Sequence, residues 1–176
     1  MKAEQIGVVL AGHGVPATDC PSEWVGQLMA MEWSNGPHGG QTSGVKARIQ
    51  ELDSKIRNWP RRPENDPYKG GLEQLAAVLR TCLPDALLEI GYNEFCSPTV
   101  PEAIRGVIQK GARRVLVVPS MLTPGGLHSE QDIPKAIQQA KRDNPHVPIE
   151  YVWPFDLKAV ADLLATHVRR RVTEIS

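Results

Sequence analysis

The sequence predicts an α/β fold, an open and mainly parallel four-stranded sheet flanked by helices, with a helical insertion between strands 1 and 2. Four short apolar runs, mostly β-branched and bounded by Gly, Pro or Asn, read as buried parallel strands. Amphipathic helical patterns alternate with them, the order that right-handed strand–helix–strand crossovers produce. A length of 176 residues fits one domain spanning 1–176.

The first strand is Ile6-Gly-Val-Val-Leu10. About 75 residues separate it from the second, too many for one crossover, so residues about 20–84 are read as a helical and loop insertion. Within the insertion, Val45, Ile49, Leu52, Ile56 and Trp59 form one amphipathic stripe, stopped by Pro60. Leu72, Leu75, Ala76, Leu79 and Leu83 form another. A Pro-rich basic loop, Trp59 to Tyr68, joins the stripes, and Asn35-Gly-Pro-His-Gly-Gly40 reads as a flexible turn. The second strand is Ala86-Leu-Leu-Glu-Ile-Gly-Tyr92. Thr99-Val-Pro-Glu102 then forms a capping box for a helix that carries Val100, Ala103, Ile104, Val107 and Ile108 on one face. Val115-Leu-Val-Val-Pro119 is the third strand, and Ser129 stands where it would cap a helix bearing Ile133, Ala136, Ile137 and Ala140. Ile149-Glu-Tyr-Val-Trp153 is the fourth. Asp156 would cap the last helix, with Val160, Leu163, Leu164, His167 and Val168 turned inward and Arg169-Arg-Arg171 at its carboxyl end.

Composition narrows the function. Lys plus Arg and Asp plus Glu each number 20, so the formal net charge is zero. A dedicated nucleic-acid or membrane-surface binder would carry a basic excess, and neither partner is expected. Residues 46–69 nevertheless hold seven basic against four acidic side chains, a strip available to an anionic small molecule. The three cysteines, Cys20, Cys82 and Cys96, make no CxxC pair and read as small buried hydrophobes. The amino-terminal run has neither the form of a signal peptide nor the length of a membrane span, so a cytoplasmic setting is expected.

In open parallel sheets, ligands lie beyond the carboxyl ends of the strands. Strand 1 ends in Gly12-His13-Gly14, strand 2 in Asn93-Glu94-Phe95, and strand 3 runs through Ser120-Met-Leu-Thr-Pro-Gly-Gly-Leu into His128. If strand 1 lies between strands 2 and 3, His13, Glu94 and His128 converge. Two imidazoles and a carboxylate suit a borderline divalent metal such as Co, Fe, Ni or Zn, and the same groups move protons near neutral pH. The neighbours Gly12, Gly14, Ser120, Thr123, Gly125 and Gly126 are expected to line the substrate site. No GxGxxG, GxxxxGK[ST] or GxSxG pattern is present, which speaks against a dinucleotide fold, a phosphate loop and an α/β-hydrolase. His38 and His146 fall in turn sequences and read as solvated, and His167 reads as core.

Three segments resemble the class II tetrapyrrole chelatases of the small sirohydrochlorin cobaltochelatase/ferrochelatase (CbiX/SirB-like) type. Val8-Val-Leu-Ala-Gly-His-Gly14 is similar to the family's first strand with its metal-site His. Gly91-Tyr-Asn-Glu-Phe-Cys-Ser-Pro98, followed by Val100-Pro-Glu-Ala-Ile104, resembles its strand–helix junction with a Glu. Val115 to Pro134, with His128 four residues before Asp132-Ile-Pro134, resembles its most specific loop. These matches cover strand 1 and residues 86–155, while residues about 20–84 exceed the corresponding segment of minimal members.

The resemblance implies a single chelatase-like lobe that inserts Co, Fe or Ni into a sirohydrochlorin-type tetrapyrrole. It implies His13, Glu94 and His128 as metal-handling residues, no cofactor beyond the substrate metal, and a homodimer. Arg57, Arg61, Arg62 or Lys69 would then pair with substrate carboxylates. Trp24, Trp33 and Trp59 would serve a dimer interface, a flat macrocycle or the anchoring of the insertion. A non-catalytic carrier of metal or tetrapyrrole would use the same site.

Overall fold

Strands β1 (Ile6–Gly12), β2 (Leu87–Tyr92), β3 (Arg114–Pro119) and β4 (Ile149–Tyr151) form one all-parallel sheet in the order β2-β1-β3-β4 in the computed structural model, which describes residues 5–35 and 42–175. β1 is therefore a central strand, as the convergence of the three site residues requires. Gly12 pairs with Tyr92 and Ala11 with Pro119, so the carboxyl ends of β1, β2 and β3 finish level. β4 is two residues shorter than its apolar run suggests.

Each face of the sheet buries its own core. On one side Val9, Ala11, Val115, Val117 and Ile149 pack against α4 (Val100–Gln109) and α5 (Ile133–Asp143). The Thr99–Glu102 capping box is formed in full: Thr99 accepts from the Glu102 N–H, and the Glu102 carboxylate accepts from the Thr99 N–H. On the other side Val8, Leu10 and Leu88 pack against Leu72 and Ala76 of α3 (Pro67–Cys82). α3 keeps only part of its expected stripe inside, since Leu75 and Leu83 are exposed. Asp66 caps this helix by accepting from the Lys69 N–H at 2.9 Å, with Pro67 following at a position that needs no N–H.

The insertion builds a third, smaller core. α1 (Ser22–Asn35), which the sequence patterning does not announce, pairs with α2 (Ser43–Arg57). Leu28, Leu52, Ile56, Ala17 and Cys20 close around Phe95, with Trp24 and Trp59 packed edge to face beside them. Two of the three insertion tryptophans therefore anchor it, whereas Trp33 is 90% exposed. The 36–41 turn and His38 lie outside the described residues.

Four further expectations are corrected. Ser129 does not cap α5: a π-helical turn, His128–Asp132, leads directly into that helix, and the buried Ser129 hydroxyl donates to Gly126 O at 3.1 Å. The last helix, α6 (Leu157–Ile175), is capped by Asp156 but does not turn its apolar side chains inward. Leu157, Leu163, Leu164 and Val168 are 55–60% exposed, and His167 is exposed with them. The helix also runs past Arg169–Arg171, so these residues are not its last turn. Cys82 is exposed, although Cys20 and Cys96 are buried.

Candidate metal centre

The sheet's hydrogen-bond ladder continues into the loops that carry the site. Beyond β1 and β2, Asn93 N–H donates to Gly12 O at 2.9 Å and Glu94 N–H donates to His13 O at 2.8 Å. On the other flank Ser120 N–H donates to Ala11 O at 2.8 Å. His13 and Glu94 are thus fixed side by side by backbone, before any side-chain contact is made. Gly14 has φ +87°, and the space a side chain would need there is filled by the Glu94 carbonyl. Gly12 lies against Leu72 and the Tyr68 hydroxyl, which accepts from the His13 N–H at 2.8 Å. Both glycines are buried and serve to bring backbone segments together.

Arg57 and Arg61 clamp the Glu94 loop from the insertion. Arg57 pairs with Asp53 and donates to Asn93 O at 2.9 Å and Cys96 O at 2.8 Å. Arg61 pairs with the buried Asp66 and donates to Val15 O at 2.7 Å and Phe95 O at 2.5 Å. Their side chains are only 13% and 10% exposed, and these donors are spent on protein oxygens. Both guanidiniums, expected to meet substrate carboxylates, are turned onto oxygens of the protein itself. Phe95, the residue after Glu94, holds φ +55° with its ring in the insertion core. Arg62 pairs with Asp19, and Lys69 with Glu73 while lying over the Tyr92 ring.

The loop after β3 delivers His128. Gly125, at φ +95°, donates its N–H to Glu130 Oε1 at 3.0 Å, and Trp153 Nε1–H donates to the same oxygen at 3.2 Å. Tyr151 adds a bond to Ser129 O at 3.0 Å. Ser120 is half-buried, and Thr123, Gly125 and Gly126 are exposed on this loop beside Leu122 and Leu127.

These elements bring His13, Glu94 and His128 together with one donor atom each inside a 4.8 Å span, all three half-buried. No other such group of three occurs among the described residues. His13 Nε2 lies 4.0 Å from Glu94 Oε2, His128 Nδ1 lies 3.9 Å from Glu94 Oε1, and the imidazole centroids are 4.4 Å apart at 89°. A metal with bonds of ~2.1 Å holds neighbouring tetrahedral ligands about 3.4 Å apart, so the His13 Nε2–Glu94 Oε2 pair closes onto one ion with side-chain adjustment of well under an ångström per residue. His13 Nδ1 faces Gly14 O at 2.5 Å, which makes Nδ1 the protonated nitrogen and leaves Nε2 as the donor.

Three neighbours escape the sequence reading. Asp132 Oδ2 and the Asn93 side-chain amide lie 2.9 and 2.8 Å from His128 Nδ1. The i, i+4 spacing of His128 and Asp132 was a legible signal. The third is Glu32, whose carboxyl is pushed above its ordinary value by burial and by the negative charges of Glu94, Asp53 and Asp132. The carboxyl end of α1 therefore stands within electrostatic range of the His13–Glu94–His128 group.

The CbiX family model matches residues 64–175. Among curated proteins, a sirohydrochlorin ferrochelatase of Priestia megaterium is 30% identical over 104 residues, covering 57% of this chain and 39% of that protein. A sirohydrochlorin cobaltochelatase of Methanococcus maripaludis is 47% identical over 51 residues, covering 29% of this chain and 35% of that one. The aligned region thus spans less than half of the length of these relatives. A solved structure described as a cobalamin (vitamin B12) biosynthesis CbiX protein, from Marinobacter aquaeolei VT8, is 17% identical. It has a TM-score of 0.56 over 97% of this chain and 99% of that one, a likeness of fold.

Proposed function

The chain belongs to the CbiX family, and on that premise we propose that it inserts a divalent metal ion, Co, Fe or Ni, into a sirohydrochlorin-type tetrapyrrole. The observation that carries the reading is the convergence of His13, Glu94 and His128 from three separate loops at the carboxyl edge of the sheet. The activities named for the two curated relatives support the same reaction.

The geometry suits the chemistry. Insertion requires the metal to shed water and two pyrrole N–H protons to leave. A doubly charged ion replaces two protons, so charge balances with no electron transferred. His13 Nε2 and His128 offer neutral nitrogens that hold the ion as its water is lost, with Glu94 between them as third ligand. As macrocycle nitrogens take over the metal, the released imidazoles and the Glu94 carboxylate accept the pyrrole protons and pass them to solvent. Thr123, Gly125 and Gly126, with the exposed Leu122 and Leu127, are the loop positions assigned to the macrocycle's edge. A second copy of this chain as partner, and work in the cytoplasm, belong to the same proposal. No helix among the described residues is long and apolar enough to cross a membrane.

The test is anaerobic. The purified protein is mixed with sirohydrochlorin and with Co, Fe or Ni offered singly, and visible absorbance follows insertion. Acceleration over the spontaneous rate with at least one metal is expected. Tight retention of the tetrapyrrole without acceleration would make the protein a carrier instead.

A further inference from the structure

His128 Nδ1 is held closely by two groups outside the candidate metal ligands, with Glu94 Oε1 farther off at 3.9 Å. Its Nδ1 lies 2.9 Å from Asp132 Oδ2 and 2.8 Å from the Asn93 side-chain amide. An ion bound at Nδ1 with a bond of ~2.1 Å would have to displace both groups. A carboxylate facing a bare ring nitrogen at this distance is repelled, lone pair against lone pair, whereas facing an N–H it forms a charge-assisted hydrogen bond. The proton therefore belongs on Nδ1, and a half-turn of the Asn93 amide presents its oxygen to that same N–H.

Asp132 is available for this task because its side chain is not engaged in capping. It stands at the amino end of α5 yet makes no capping hydrogen bond with its side chain. Lys135 Nζ, 3.7 Å from Oδ1, holds the second oxygen from the far side. The π-helical turn His128–Asp132 puts acceptor and imidazole on one face, and Ser129 O, bonded to the Tyr151 hydroxyl, pins the turn.

We infer that Asp132 is a positioning residue of the metal centre: it fixes His128 in the tautomer protonated at Nδ1 and leaves Nε2 as the metal donor. The inference rests on the reading of His128 as a metal ligand and extends it to the residue that sets the ligand's tautomer. It pairs His128–Asp132 with His13–Gly14 O as two imidazoles each held at Nδ1 by an oxygen, so that both present Nε2.

The experiment uses the full chain, metal-free and then titrated with Co(II) alone. Long-range nitrogen–proton NMR of the histidine rings at neutral pH is expected to show His128 protonated at Nδ1 in the wild type. Asp132→Asn should lose that preference and bind Co(II) about 10- to 100-fold more weakly. Asp132→Glu, which restores the acceptor, should bind within about threefold of wild type. A wild-type His128 protonated at Nε2, or an Asp132→Asn variant that binds Co(II) as tightly as wild type, overturns the inference. Should Asp132→Asn fail to fold, the wild-type tautomer and the Asp132→Glu affinity decide the matter without it. Insertion into sirohydrochlorin is measured separately. Cobalt binding that responds to Asp132 without any insertion would remove the chelatase reading and keep the positioning role. Insertion that is indifferent to Asp132→Asn would do the reverse.

Discussion

The carbonyl oxygen of Glu94 occupies the space that a side chain on Gly14 would need. Two loops from neighbouring strands thereby come closer than any other residue would permit, and His13 and Glu94 ride on that contact. Gly14→Ala must both adopt φ +87° and push the Glu94 loop away. We expect it to cost at least ~2 kcal/mol of stability and to weaken Co(II) binding more than tenfold. A thermal melt and a cobalt titration check both; unchanged cobalt affinity would show that the loop contact does not position the ligands.

Arg57 separates a clamp from a substrate contact. Its guanidinium reaches Asn93 O, Cys96 O and Asp53 together, a geometry that a lysine ammonium cannot copy. Arg57→Lys should cost about 1–3 kcal/mol and lower Co(II) affinity in the absence of any tetrapyrrole. A variant that is stable, binds cobalt normally and shows only a raised KM for the tetrapyrrole would restore Arg57 to the substrate site.

Glu32 links stability to pH with an uncommon sign. Burial, then the charges of Glu94 and Asp53, raise its folded-state pKa above its unfolded value. Its ionised form therefore opposes folding above the folded pKa, and that opposition fades as pH falls through it. Glu32→Gln should melt higher than wild type at neutral pH, with the gain shrinking toward acid. A melt comparison across pH tests this, and a gain that grows toward acid would contradict it.

Leu164 and Val168 present an exposed apolar stripe on α6. If a second copy covers it, replacing both with Glu should convert a dimer into a monomer in sedimentation while leaving cobalt binding intact. Wild-type protein that sediments as a monomer at tens of micromolar concentration would remove the dimer.

The sheet and the convergence of His13, Glu94 and His128 at its edge were legible because their signals are local. Val115 to Pro119 is continuous apolar β-branched sequence, Thr99 and Glu102 stand at capping-box spacing, and Gly-His-Gly closes an obvious strand. Helix α1 was not legible because its apolar residues, Trp24, Val25, Leu28, Met29, Met31 and Trp33, spread over about half of the helix circumference and leave no narrow apolar stripe. The contacts of Arg57 and Arg61 were not legible because their acceptors include backbone oxygens up to 46 residues away, which charge alone does not reveal. Ser129 had the right residue type for a cap, but the chain enters α5 already helical, through the π turn.

The most direct measurement is anaerobic cobalt insertion into sirohydrochlorin by wild type, His13→Ala and His128→Ala, with circular dichroism of each protein alongside. Loss of acceleration in both variants, with the helical and strand signal unchanged, is the predicted result. Insertion at the wild-type rate by both variants would contradict the assignment of the site.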